Sequence, residues 1–118
     1  MKLDYCVLGT NNMEEAIQFY SALFAGTTLN QGLRTDRMAY WESKDFAFAL
    51  AIPFDKQPAT NGNGTMLGLN VGTEDEVNRL YEKAMALGGS CEGKPGNRGP
   101  KYSAYIRDLD NNKIVFSA

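Results

Sequence analysis

Residues 95–115 read PGNRGPKYSAYIRDLDNNKIV. The opening PGNRGP is punctuated by proline and glycine and predicts a loop. KYSAYIRD then runs as a β-prone segment with aromatic residues, and KIVFS beyond it predicts a second strand. Between them, residues 108–112 (DLDNN) have the composition of a tight turn. Asp108 is a good turn-starting residue, and Asn111 can take the left-handed conformation that such a turn demands. The stretch is a closing hairpin.

Upstream of this hairpin, MLGLNVGT (residues 66–73) reads as a strand and EDEVNRLYEKAMALGG (74–89) as an amphipathic helix, with Val77, Leu80, Tyr81, Ala84 and Leu87 on one face. SCEGK (90–94) adds a short strand. The first half of the chain repeats this plan. LDYCVLG (3–9) is a strand, and MEEAIQFYSALFAG (13–26) is a helix with Met13, Ala16, Ile17, Tyr20, Leu23 and Phe24 at helical spacing. Three further runs, TTLNQGL, RMAYWES and DFAFALAIP, predict a meander. In the last run, Phe46, Phe48 and Leu50 alternate with Ala47, Ala49 and Ala51. PFDKQPATNGNG (53–64) is the single linker-like stretch. The sequence therefore predicts one domain over residues 1–118, with module 1 at about 1–53, a linker at about 54–64 and module 2 at about 65–118.

The bulk numbers fit this plan. A chain of 118 residues with 43% hydrophobic and 22% charged residues is an ordinary globular domain. A net charge of -2 offers no broad field for nucleic acid or anionic lipid. No window approaches the roughly 18 apolar residues of a membrane span, and a cytoplasmic location is expected. Two cysteines, Cys6 and Cys91, are expected to be free thiols. The chain has no histidine, which excludes Ser-His-Asp and Cys-His catalysis and removes the commonest transition-metal ligand.

On the two repeated helices and the hairpin with its DLDNN turn, the chain resembles the glyoxalase / bleomycin resistance / dioxygenase family, the vicinal oxygen chelate superfamily. The resemblance implies an α+β fold of two βαβββ modules whose curved mixed sheets enclose a cup. In metal-using relatives it further implies a His on the first strand, a His or Gln on the strand opening the second half, and a Glu on the last strand. The matching positions here are Tyr5, Met66 and Val115, and the fourth-strand position of the first half falls near Phe48 and Ala49. Phenol, thioether and hydrocarbon are poor substitutes for imidazole and carboxylate. No shift of the strand alignment supplies a His, and only Asp4 and Asn70 become plausible ligand types. No metal and no cofactor are expected.

Without a metal, such a cup is a concave apolar pocket suited to a small molecule. Tyr5, Trp41, Phe48, Met66, Tyr102, Tyr105 and Val115 are the candidate lining, with Tyr40 competing with its neighbour Trp41 for the inward side. Arg98, assisted by Arg107 and Lys101, is the candidate partner of an acidic group. Cys6, opposite in alternation to Tyr5, is expected to face the covering helix. Three functions remain open on the sequence: metal-free small-molecule binding, with a homodimer expected; an enzyme with non-standard ligands, for which Tyr5 is the candidate acid/base; and a dimeric protein whose cup is filled by its own side chains.

Overall fold

The computed structural model describes all residues, 1–118. The chain divides into two compact units, Met1–Thr60 and Asn61–Ala118. Each runs strand, helix, three strands. The first contains β1 (Tyr5–Gly9), α1 (Met13–Phe24), β2 (Asn30–Arg34), β3 (Met38–Glu42) and β4 (Ala47–Ala51). The second contains β5 (Leu67–Asn70), α2 (Glu74–Ala86), β6 (Ser90–Arg98), β7 (Lys101–Arg107) and β8 (Lys113–Ser117). The sheets have equivalent orders, β1-β4-β3-β2 and β5-β8-β7-β6, so the last strand of each unit lies parallel to the first and antiparallel to its other neighbour.

Both helices start on a side-chain cap. Asn12 Oδ1 accepts from the amide of Glu15 at 3.2 Å, and Thr73 Oγ1 accepts from that of Glu76 at 3.1 Å. Acidic residues fill both first turns, where the helix dipole favours them. In the first unit the Tyr20 and Phe24 rings of α1 pack on Trp41 and Phe48 of the sheet, at centroid distances of 4.6 to 6.2 Å. Each such fully buried aromatic side chain contributes about 1.5–3 kcal/mol. In the second unit Val77, Leu80 and Ala84 of α2 are buried, as are Ala104, Ile106, Ile114 and Phe116 on the sheet face turned to the helix.

The closing hairpin is held at its turn by Asp108. Its carboxylate accepts from the amides of Asp110 and Asn112 and from Asn112 Nδ2, each at 2.9 Å. Asn111 adopts φ 67°, the left-handed conformation its composition anticipates.

One local expectation is corrected. The PGNRGP stretch reads as a loop, but Pro95 to Arg98 belong to β6, and the chain turns only at Gly99 and Pro100. Strand β6 is an outer edge strand with two register shifts, between Cys91 and Gly93 and between Gly93 and Gly96. Bulged edges accommodate the proline and glycines that would break a central strand. The equivalent outer strand of the first unit, β2, is exposed throughout and also shifts register, between Gln31 and Arg34.

Candidate functional site

One face of each sheet carries the helix, and strand register sorts the candidate residues between the two faces. In the first unit Tyr5 pairs with Ala47, Val7 with Ala49, and Ala49 with Tyr40. These residues leave the sheet on the side opposite Phe48, whose ring meets α1. Tyr5 and Val7 are 56% and 42% exposed, and the floor beside them is built from the alanines of β4. Tyr40 is half-buried on this face, with its hydroxyl donating to Met38 Sδ at 3.2 Å.

In the second unit Gly68 pairs with Val115, and Val115 with Tyr105. Met66, Lys113, Arg107 and Ser103 follow on the same helix-free face by alternation. Arg98 Cζ stands 5.1 Å from the centroid of the Tyr105 ring and Lys113 Nζ 5.4 Å from it, two cations on one aromatic ring. Arg98 is fixed there by donating to the carbonyls of Ser103, Lys94 and Gly96. Gly93 makes room for it, because a Cβ at that position would lie 3.1 Å from both Arg98 Nη2 and Tyr105 Cδ2.

Of the candidates from sequence, Met66, Tyr105, Val115 and Arg98 come together on the helix-free side of the second unit, and Tyr5 occupies the corresponding side of the first. Tyr5 and Met66 are equivalent, each seven residues before its helix cap (5 to 12, 66 to 73). Three candidates are placed elsewhere. Trp41 and Phe48, 1% and 0% exposed, are core residues against α1. Tyr102 also faces its helix, donating from its hydroxyl to Asn78 Oδ1 at 2.8 Å. The physical reason is common to all three: each helix needs aromatic or apolar cover, and the large side chains on the helix side supply it. Lys113 was not singled out from sequence, although it lies two residues before Val115 on one strand, which alternation places on the same face.

Cys6 pairs with Phe48 and so lies on the helix side, where burial pushes its thiol up from the usual range. Both cysteines are free thiols. Glu92 is held below the ordinary carboxylate range by the Arg107 guanidinium, which donates to it at 2.8 Å.

The residues at the positions where the resemblance implies metal ligands do not fit an ion. Tyr5, Met66 and Val115 offer no carboxylate or imidazole, and no group of three or more His, Cys, Asp or Glu side chains is gathered anywhere in the chain.

The chain matches the family model described as Glyoxalase/Bleomycin resistance protein/Dioxygenase superfamily over residues 2–116. It is 32% identical to a glyoxalase/bleomycin resistance protein from Albidiferax ferrireducens, covering 97% of this chain and 95% of that one with a TM-score of 0.91. Two more distant structures share the fold. A glyoxalase-related enzyme from Fulvimarina pelagi is 20% identical over 99% of this chain and 87% of that one (TM-score 0.81). A lactoylglutathione lyase from Agrobacterium tumefaciens is 21% identical over 97% and 90% (TM-score 0.73). A search of curated proteins gives no match. With two βαβββ units, the family-model match across nearly the whole length and the Albidiferax relative, the chain belongs to the glyoxalase/bleomycin resistance protein/dioxygenase superfamily.

Proposed function

We propose that this protein binds a small organic molecule without a metal ion, on the helix-free sheet face of the second unit, which carries Met66, Tyr105 and Val115; Tyr5 lies on the corresponding face of the first unit. One observation carries the reading: the positions at which the resemblance implies metal ligands are occupied by a phenol, a thioether and a hydrocarbon, and Tyr5 and Met66 stand 56% and 47% exposed. These are surfaces for apolar and aromatic contact rather than for coordination. The exposure also weighs against a face filled by the protein's own side chains.

Residues 1–118 then act as one glyoxalase-like domain whose binding needs no chemical step. Exposed Leu33 and Phe54, at 64% and 86%, fit the further expectation of a homodimer. No helix is long and apolar enough to cross a membrane; the cytoplasmic location expected from the sequence remains part of the proposal.

The test has two arms. Equilibrium dialysis against zinc, nickel, manganese and iron(II) is expected to leave no stoichiometric ion on the protein. Titration with indole, a neutral aromatic probe, is expected to shift the Met66 methyl and Tyr105 ring signals in NMR spectra. A tightly held ion whose ligands map to these faces, or indole shifts confined to other surfaces, overturns the reading.

A further inference from the structure

At one end of its helix-free face, the second unit carries a cleft of about 280 Å3 between loop 61–66 and the side chains of Arg107 and Lys113. We propose that this cleft is a binding site for a small oxyanion, a phosphate or carboxylate group.

Arg107 and Lys113 are register partners on β7 and β8, so both side chains leave the sheet on the same side. The Arg107 guanidinium is already oriented. Its Nε donates to Glu92 Oε1 at 2.8 Å and its Nη1 to the carbonyl of Asn111 at 3.0 Å, which leaves Nη2 without a protein acceptor. The Lys113 ammonium lies 5.4 Å from the Tyr105 ring centroid and forms no ion pair with any carboxylate. Two cations against the single carboxylate of Glu92 leave one positive charge unmatched at the cleft.

The loop supplies the opposite wall. Gly62 and Gly64 both have positive φ, 67° and 90°. The amides of Gly62, Asn63 and Gly64 donate to no protein acceptor, and only the Thr65 amide is used, toward the Gly62 carbonyl at 3.5 Å. Turn backbones of this kind gather N–H groups into concave anion sites, and a guanidinium beside them adds a directional, charge-assisted donor. The cleft is slightly smaller than the roughly 300–1,000 Å3 of ordinary ligand pockets, a size for a head group rather than for a whole cofactor.

The site adds a ligand class to the proposed binding function. It rests on that reading only for the idea that the oxyanion belongs to a larger molecule lying along Tyr105; the cleft itself is tested without it. Inorganic phosphate and, separately, acetate are titrated into the 15N-labelled protein at constant ionic strength. Saturable shifts are expected at the amides of Gly62, Asn63 and Gly64, and the tighter of the two ions identifies the head group. Lys113→Gln is expected to weaken binding about fivefold, with Lys113→Arg close to the parent. Asn63→Asp, an exposed change that brings a negative charge into the loop, is expected to abolish it and serves if Lys113→Gln fails to fold. Shifts that never saturate for either ion, or equal affinity in Asn63→Asp and the parent, overturn the site. Indole shifts at the Tyr105 ring, which does not line the cleft, are read independently, so the cleft and the aromatic face stand or fall separately.

Discussion

Trp41 and Phe48 are register partners on neighbouring strands, with ring centroids 5.8 Å apart and both rings turned to α1. They close an aromatic cluster with Tyr20 and Phe24 that fixes the helix on its sheet. The indole nitrogen of Trp41 is buried without a hydrogen-bond partner, so part of what the ring contributes by packing is offset by an unsatisfied donor. Trp41→Phe removes that donor along with one ring and is expected to cost less than about 1.5 kcal/mol, whereas Trp41→Ala costs about 3–5 kcal/mol. Urea unfolding followed by far-ultraviolet circular dichroism separates the two. Equal losses would mean that the indole N–H is satisfied in solution.

The hairpin turn depends on one carboxylate. Asp108 is 6% exposed and accepts three hydrogen bonds from Asp110 and Asn112. Asp108→Ala leaves those donors to find water at a buried turn and is expected to cost about 2–3 kcal/mol. Asp108→Asn keeps one carbonyl acceptor and should cost visibly less. The order of their urea midpoints tests the assignment, and a reversed order would refute it.

The Glu76 carboxyl is held below its ordinary value of 4.5, chiefly by hydrogen bonding from Arg79, whose Nε and Nη2 lie 2.8 and 2.5 Å from its oxygens. A carboxyl with a lowered folded-state value stabilises the fold fully above its unfolded value and loses that contribution as pH falls through the folded one. The pair is solvent-accessible, so Glu76→Gln is expected to cost only about 0.3–0.5 kcal/mol at pH 7. The difference from the parent should stay flat down to about pH 5 and shrink below 4.5. Chemical denaturation at pH 7 and pH 3 checks this, and a gap that widens on acidification would contradict the sign.

Element types and order were legible because each half combines a helical stripe, a side-chain cap and short alternating strands. The hairpin was legible because Asp108 and Asn111 carry its turn chemistry. The side on which an aromatic residue falls was not. Alternation separates Tyr40 from Trp41 and Tyr102 from Tyr105, but both faces of these strands accept large side chains. Only contact with α1 and the hydrogen bond to Asn78 decide between them. The extension of β6 through Pro95 and Gly96 was hidden for a different reason: bulges let an edge strand continue through residues that locally signal a loop. Gly93 gave no sign in sequence of its role, which is to leave space for Arg98 beside Tyr105.

The register shifts on β2 and β6 bear on how the protein behaves when concentrated. A flat outer strand is a template onto which another copy can add its own backbone, and the five exposed residues of β2, with Leu33 among them, are such an invitation. The outer strands β2 and β6, each on the antiparallel side of its sheet, instead break their ladder spacing, β2 once and β6 twice. A kinked edge matches an incoming strand poorly, so these irregularities act as a guard against fibre-like growth.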